Sequence, residues 1–127
     1  MKIKKYNRSE KELEEFLIFS ILTSGKLNKK SKELFQKLNG FLKEEKNKNP
    51  FKLIQKLSSI KSRFGLNYLY EYLKGHDLPR NQKVLTSLCE VLKYKNKLKK
   101  VTSKDLKDVY GIGEGISSFF ISNTRKN

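Results

Sequence analysis

The residues whose types and spacing point most directly to chemistry lie near the C-terminal end, in the stretch from Leu106 to Ile121. Gly111 and Gly113 stand one residue apart. Such a pair lets a chain reverse tightly through backbone angles closed to other residues, and lets backbone come close to a ligand. The apolar run that follows predicts a helix, whose first N–H groups and positive dipole end suit a phosphate oxygen. Ile112 reads as an apolar plug that pins the turn. Leu106, Val109, Ile116 and Phe120 read as the contacts that lock the flanking helices together. Lys104 and Lys107 before the turn, Ser117 after it and Arg125 at the far end of the last helix complete a candidate phosphate-binding set with Gly111, Ile112 and Gly113. Glu114 stands at the mouth of the turn, where a carboxylate suits the helix dipole but repels a phosphate. The same spacing also suits a plain helical hairpin whose glycines serve only the turn.

The other reactive side chains are sparse. His76-Asp77 has the composition of an acid/base pair, since histidine titrates in the useful range. No nucleophile accompanies it, and the pair also reads as a loop with Asp77 capping the next helix. Cys89, the only cysteine, falls on an apolar helix face and reads as a buried inert thiol. One cysteine and one histidine exclude a disulfide framework and a multi-cysteine zinc or iron–sulfur site. No metal, cofactor or catalytic residue is expected. Tyr68, Tyr70 and Tyr72 are spaced around a helix, so at most one or two of them can stack on bases, and Tyr72 suits the core. Lys97, Lys99 and Lys100 read either as flanking contacts to a polyanion or as a solvated connector. Ser122, Asn123 and Thr124 join Arg125 either as donors to a phosphate or as a frayed end.

Charge supplies the wider frame. The 127 residues carry 29 Lys plus Arg against 13 Asp plus Glu, a net charge of +16. That excess points to a polyanionic partner. Only Arg8, Arg63, Arg80 and Arg125 are arginines and there is no alanine or tryptophan, a pattern that an AT-rich genome writes on any protein. With 36% apolar and 11% aromatic residues, the chain is no disordered basic tail. The longest near-continuous apolar run, Phe16 to Leu22, is too short to span a membrane, and the acidic stretch before it does not resemble a signal peptide. A soluble, intracellular setting is expected.

The elements that must position these residues read as helices throughout, because no stretch alternates in the manner of a strand. A capping box, Ser9 with Glu12, opens a first helix that runs to about Thr23. Its second half is apolar all round, the mark of a central helix. A second helix spans about Lys29 to Leu42, followed by a charged connector, Lys43 to Lys48. Asn49 and Pro50 open a third, with Phe51, Ile54 and Leu57 inward. A fourth runs from about Ile60 to Lys74, with a break near Gly65 and an end at Gly75. A fifth carries Val84, Leu85, Leu88, Val91 and Leu92 on one stripe. Thr102 or Ser103 caps a short sixth, and a seventh follows the glycine turn. The expectation is one all-α domain over 1–127, about seven short helices, with the hairpin at about 103–122.

The segment from Leu106 to Ile121, helix, Gly-Ile-Gly turn and helix, resembles a helix-hairpin-helix, the sequence-independent clamp on a DNA backbone. Preceded by five amphipathic helices, it resembles the helix-hairpin-helix DNA glycosylase superfamily, which includes endonuclease III and the archaeal 8-oxoguanine glycosylases. The stretch from Glu14 to Ser24 is similar to that family's buried helix, and Tyr110 to Asn123 is most similar to the archaeal branch. The resemblance covers about Glu14 to Thr124, and only the hairpin in it is specific. The chain departs from the family where it matters for chemistry. The Schiff-base lysine position falls on Gly115, so the amine nucleophile is missing. The catalytic aspartate lies downstream of the hairpin in the family, and no residue up to Asn127 matches it. The resemblance therefore implies non-sequence-specific binding of duplex DNA through backbone phosphates, without the family's catalytic groups. Two other readings stay open: a truncated or divergent glycosylase acting on damaged bases, and a protein- or RNA-associated adaptor in which the hairpin is structural. The sequence leaves the oligomeric state open.

Overall fold

The structure is a computed structural model and describes residues 3–43, 49–59 and 68–125. The described residues are all-helical: α1 (Glu10–Leu22), α2 (Ser31–Leu42), α3 (Pro50–Ser59), α4 (Tyr68–Gly75), α5 (Gln82–Glu90), α6 (Ser103–Lys107) and α7 (Glu114–Thr124), with a 3-10 turn at Val91–Tyr94. Residues 44–48 of the expected connector, and residues 60–67 of the expected fourth helix with its break at Gly65, lie outside the described residues.

The first helix is central for the reason its composition gives. Every residue from Phe16 to Leu22 is buried, and α1 packs against α3, α5 and α7. Phe16 stacks on Phe119 with ring centroids 5.4 Å apart, and Phe19 meets Phe35 edge-on at 5.8 Å. Burying each such ring contributes about 2–3 kcal/mol. The capping box forms: the Ser9 hydroxyl accepts from the Glu12 N–H, and the Glu12 carboxylate accepts from the Ser9 N–H.

Two buried charges inside this core were not singled out by the sequence. Glu14 is fully buried on α1, and its carboxylate accepts the Phe51 N–H at 2.9 Å. It thus serves as an acceptor for the first turn of α3, where a negative charge suits the helix dipole. Its second oxygen has no partner, and burial pushes the carboxyl above its ordinary value. Arg8 is 6% exposed. Its guanidinium lies 4.1 Å over the Phe16 ring and donates to the Ile3, Lys5 and Asn123 carbonyls. The N-terminal segment is thereby latched to the last turn of α7.

Two helix ends depart from expectation. Gly75 belongs to α4, and the left-handed residue that closes it is Asp77, with φ +54°. The Leu78 N–H returns to the Leu73 carbonyl and the Asp77 N–H to the Lys74 carbonyl, the bonding of a Schellman end. Asparagine and aspartate tolerate this conformation better than other side chains. Asp77 accordingly does not cap α5; Asn81 does, accepting the Val84 N–H at 2.9 Å. The end of α1 is built in the same way, with Ser24 and Gly25 both left-handed.

Candidate functional site

The glycine turn is assembled from three sides. On the first, Thr102 caps α6 and forms a second capping box with Asp105. Leu106, Val109, Ile112, Ile116 and Phe120 are all buried, so the two helices of the hairpin close over a shared apolar seam. Ile112 is the plug expected of it.

On the second side the turn is fastened to α5. Gly111 has φ +86°, open to glycine but strained for other residues. A Cβ there would lie 2.1 Å from the Ser87 hydroxyl and 3.1 Å from the Lys83 carbonyl. The buried Ser87 hydroxyl lies 2.7 Å from both the Lys83 and Tyr110 carbonyls and shares its proton between them. The Glu90 carboxylate accepts the Tyr110 N–H at 3.0 Å. Ser87 and Glu90 therefore hold the hairpin. Neither carried a sequence signal beyond its place on α5.

On the third side lies the end of α1. Gly25 packs so closely that a Cβ there would come within 2.6 Å of the Gly115 carbonyl oxygen. This backbone-to-backbone contact fixes the first turn of α7 against the core.

The start of α7 itself is open. Gly113 is its N-cap, extended at φ −101°, and has no side chain to cap with. A Cβ at Gly113 or at Gly115 would meet nothing within 4 Å. Neither glycine is required by packing or by a left-handed angle. The first N–H groups of a helix lack intrahelical acceptors, and no side chain caps these. Ser9, Asn81 and Thr102 each cap their own helices from the corresponding position.

The other expected site residues are dispersed. The Ile112 N–H is used by the Val109 carbonyl at 3.0 Å, so its amide is not available to a ligand. Ser117 is fully buried, with its hydroxyl 2.6 Å from that of Ser103; it belongs to the interior of the hairpin rather than to a binding surface. Lys104 is exposed on α6. Lys107 pairs with Glu114 at 2.9 Å across the mouth of the turn. That ammonium, with the Ser118 hydroxyl, holds the Glu114 carboxyl below the usual range. Arg125 lies past the opposite end of α7 and donates to the Leu98 carbonyl at 2.9 Å. It is removed from the turn by the 11 residues of that helix, about 16 Å.

The charge balance around the turn differs from that of the chain as a whole. Here Lys83, Lys104 and Lys107 stand in sequence among Glu90, Asp105, Asp108 and Glu114, and Lys107 pairs with Glu114. The positive excess is carried by lysines elsewhere in the chain.

The remaining reactive residues are engaged in packing. His76 meets Phe41 edge-on at 5.8 Å. Asp77 pairs with Lys37 at 2.6 Å, which holds its carboxyl below the ordinary value. Cys89 is half-buried, and burial raises its thiol, the condition of an unreactive cysteine. Tyr68 and Tyr72 lie against each other at 6.2 Å. Among the described residues no three His, Cys, Asp or Glu side chains converge on a metal-sized site, and no helix is long and apolar enough to cross a membrane. Comparison with protein-family models, curated proteins and solved structures finds no match to this chain.

Proposed function

We propose that the chain binds duplex DNA without sequence preference, by seating a backbone phosphate on the open start of α7. One observation carries this reading. The α7 N-terminus is uncapped and flanked by two glycines that the fold does not need, so both leave room for close approach. Glycine at a helical position costs about 1 kcal/mol against alanine, and Gly115 incurs that cost with no packing return. A phosphate accepting the amides at this start, from Gly113 to Ile116, would offset it.

Glu114 does not bar the seat. Its side chain is 73% exposed and faces Lys107, in a pair that solvent and salt screen strongly. A phosphate arriving at the turn competes with Glu114 for the Lys107 ammonium. The net charge of +16 supplies the long-range attraction and the salt dependence. Phosphate contacts of this kind carry no base information, which is why no sequence preference is expected. No reaction is assigned here; Gly115 stands where the glycosylase pattern has its lysine.

The test is a titration of isotope-labelled protein with a 20-base-pair duplex, followed by amide shifts. The reading expects the largest shifts from residue 111 to residue 116. Binding with those amides unmoved would refute it.

A further inference from the structure

Tyr110, in the hairpin turn, is the most exposed large hydrophobic side chain among the described residues, at 60%. A lone exposed tyrosine calls for no explanation in itself. This one differs in how it is mounted. Its carbonyl accepts the Ser87 hydroxyl at 2.7 Å, and its N–H donates to the Glu90 carboxylate at 3.0 Å. Both clamps come from α5. The next residue is the left-handed Gly111, which has no room for a side chain against Ser87. The backbone under the ring is therefore held on both sides. The ring is free: among the described residues it has no aromatic or cationic partner, and its hydroxyl makes no hydrogen bond. What Tyr110 gives the fold is one backbone donor and one acceptor, which any residue but proline supplies.

The ring also stands beside the phosphate seat. Gly113, the N-cap of α7, follows three residues on, so the two Cα atoms lie within about 11 Å. Base pairs rise about 3.4 Å each, which puts the ring within about three steps of a nucleotide whose phosphate is seated there. The charges next to Tyr110 do not suit a further phosphate. Glu90 holds its N–H, and Asp108 stands two residues before it. A neutral aromatic face in that setting suits a base. Every base has a π-face, and stacking on it tolerates any sequence. In continuous duplex the neighbouring pairs cover those faces, whereas a gap in one strand uncovers them.

We propose that Tyr110 stacks on a base face left open by a break in the duplex, so that the chain takes gapped DNA in preference to continuous duplex. The inference rests on the DNA-binding reading above and adds to it the class of DNA preferred. The α7 start holds the backbone, and the clamped tyrosine reads whether the stack beside it is interrupted.

The experiment measures anisotropy at low salt with a 20-base-pair duplex and with the same duplex carrying a one-nucleotide gap. The proteins are the unaltered chain, Tyr110→Ser, Tyr110→Phe and Gly113→Asp, each checked by its melting curve. One stacked base corresponds to about fivefold or more in affinity. The proposal expects the unaltered chain and Tyr110→Phe to favour the gapped DNA by that factor. It expects Tyr110→Ser to lose the preference while binding intact duplex within twofold of the unaltered chain. Equal affinity of the unaltered chain for the two DNAs, a preference that survives Tyr110→Ser, or one that is lost in Tyr110→Phe overturns the stacking and leaves the seat standing. A preference that depends on the ring, with Gly113→Asp binding as the unaltered chain does, supports the stacking and overturns the seat. No binding of either DNA by the unaltered chain overturns both.

Discussion

Substituting Gly113 by aspartate separates stability from binding, because the two are expected to move in opposite directions. Gly113 already has the extended backbone of an N-cap, and its Cβ position is empty to 4 Å. An aspartate there can accept the Ile116 N–H, as Asn81 accepts that of Val84 three residues on. Relative to glycine such a cap is worth a few tenths of a kcal/mol. The carboxylate's favourable meeting with the helix dipole adds about 0.3 kcal/mol or more. Together they raise the melting temperature by about 2 °C for a chain of this size. For a docked phosphate the same change is adverse. It removes an amide donor, and a hydrogen bond to a charged group is worth about 1.5–3 kcal/mol. It also places a negative charge about 4 Å from the phosphate, costing about 1 kcal/mol even in water. A loss of at least about 2 kcal/mol is roughly thirtyfold in affinity. The assay is fluorescence anisotropy with a labelled duplex at low salt, beside thermal melts by circular dichroism. Gly113→Asn is the control, with the cap formed and no charge, and a smaller loss. A Gly113→Asp protein that melts higher and binds within twofold of the unaltered chain would refute the reasoning.

Three further outcomes follow from the same geometry. Glu114→Gln removes the carboxylate at the mouth of the turn and frees Lys107, so duplex affinity should rise severalfold at low salt; a fall would show that the Lys107–Glu114 pair organises the seat. Gly111→Ala forces a left-handed alanine into the Ser87 hydroxyl, with about 1–2 kcal/mol from the backbone angle and a further steric cost, so melting should drop by several degrees; an unchanged melt would contradict the packing described. Glu14 gives a pH signature. Its folded-state value is raised by burial, so the native chain holds the proton more tightly than the unfolded one. This contribution to stability is fully present below the unfolded carboxyl value near 4.3 and is lost as pH rises through the folded one. Denaturant melts of Glu14→Gln should lack that component, while Glu14→Ala should destabilise by about 1–3 kcal/mol by orphaning the buried Phe51 N–H; a pH profile identical in the unaltered chain and Glu14→Gln would refute the assignment.

Helix periodicity, caps and glycines carried the architecture because they are local. The Ser9–Glu12 box and the seam of Leu106, Val109, Ile112, Ile116 and Phe120 follow from spacing alone and stand where spacing places them, while the stripe expected on one fifth helix runs on from α5 into the 3-10 turn at Val91–Tyr94, with Val84, Leu88 and Val91 buried. What spacing cannot supply is which partner a polar side chain meets across the core. Asp77 looked like a cap because it precedes an apolar run, yet the turn there needs a left-handed residue and Asp77 provides it. Ser117 looked like a phosphate donor because it stands one turn into α7, and its orientation toward Ser103 is set by how α6 folds back. Glu14, Arg8 and Ser87 gave no signal at all. Their partners lie 37, 115 and 23 residues away. Counting lysines found the positive excess, but a count does not say where on the surface it lies.

The most direct test of the central claim is the equilibrium affinity of the full chain for duplex DNA as a function of salt, using two duplexes of unrelated sequence and one containing an abasic-site analogue. The seat at the start of α7 and the chain's many lysines predict a steep slope, equivalent to several neutralised phosphates at about 0.9 each, and equal affinity for the two intact sequences. Negligible binding at physiological salt, or a strong preference for one intact sequence over the other, would contradict it.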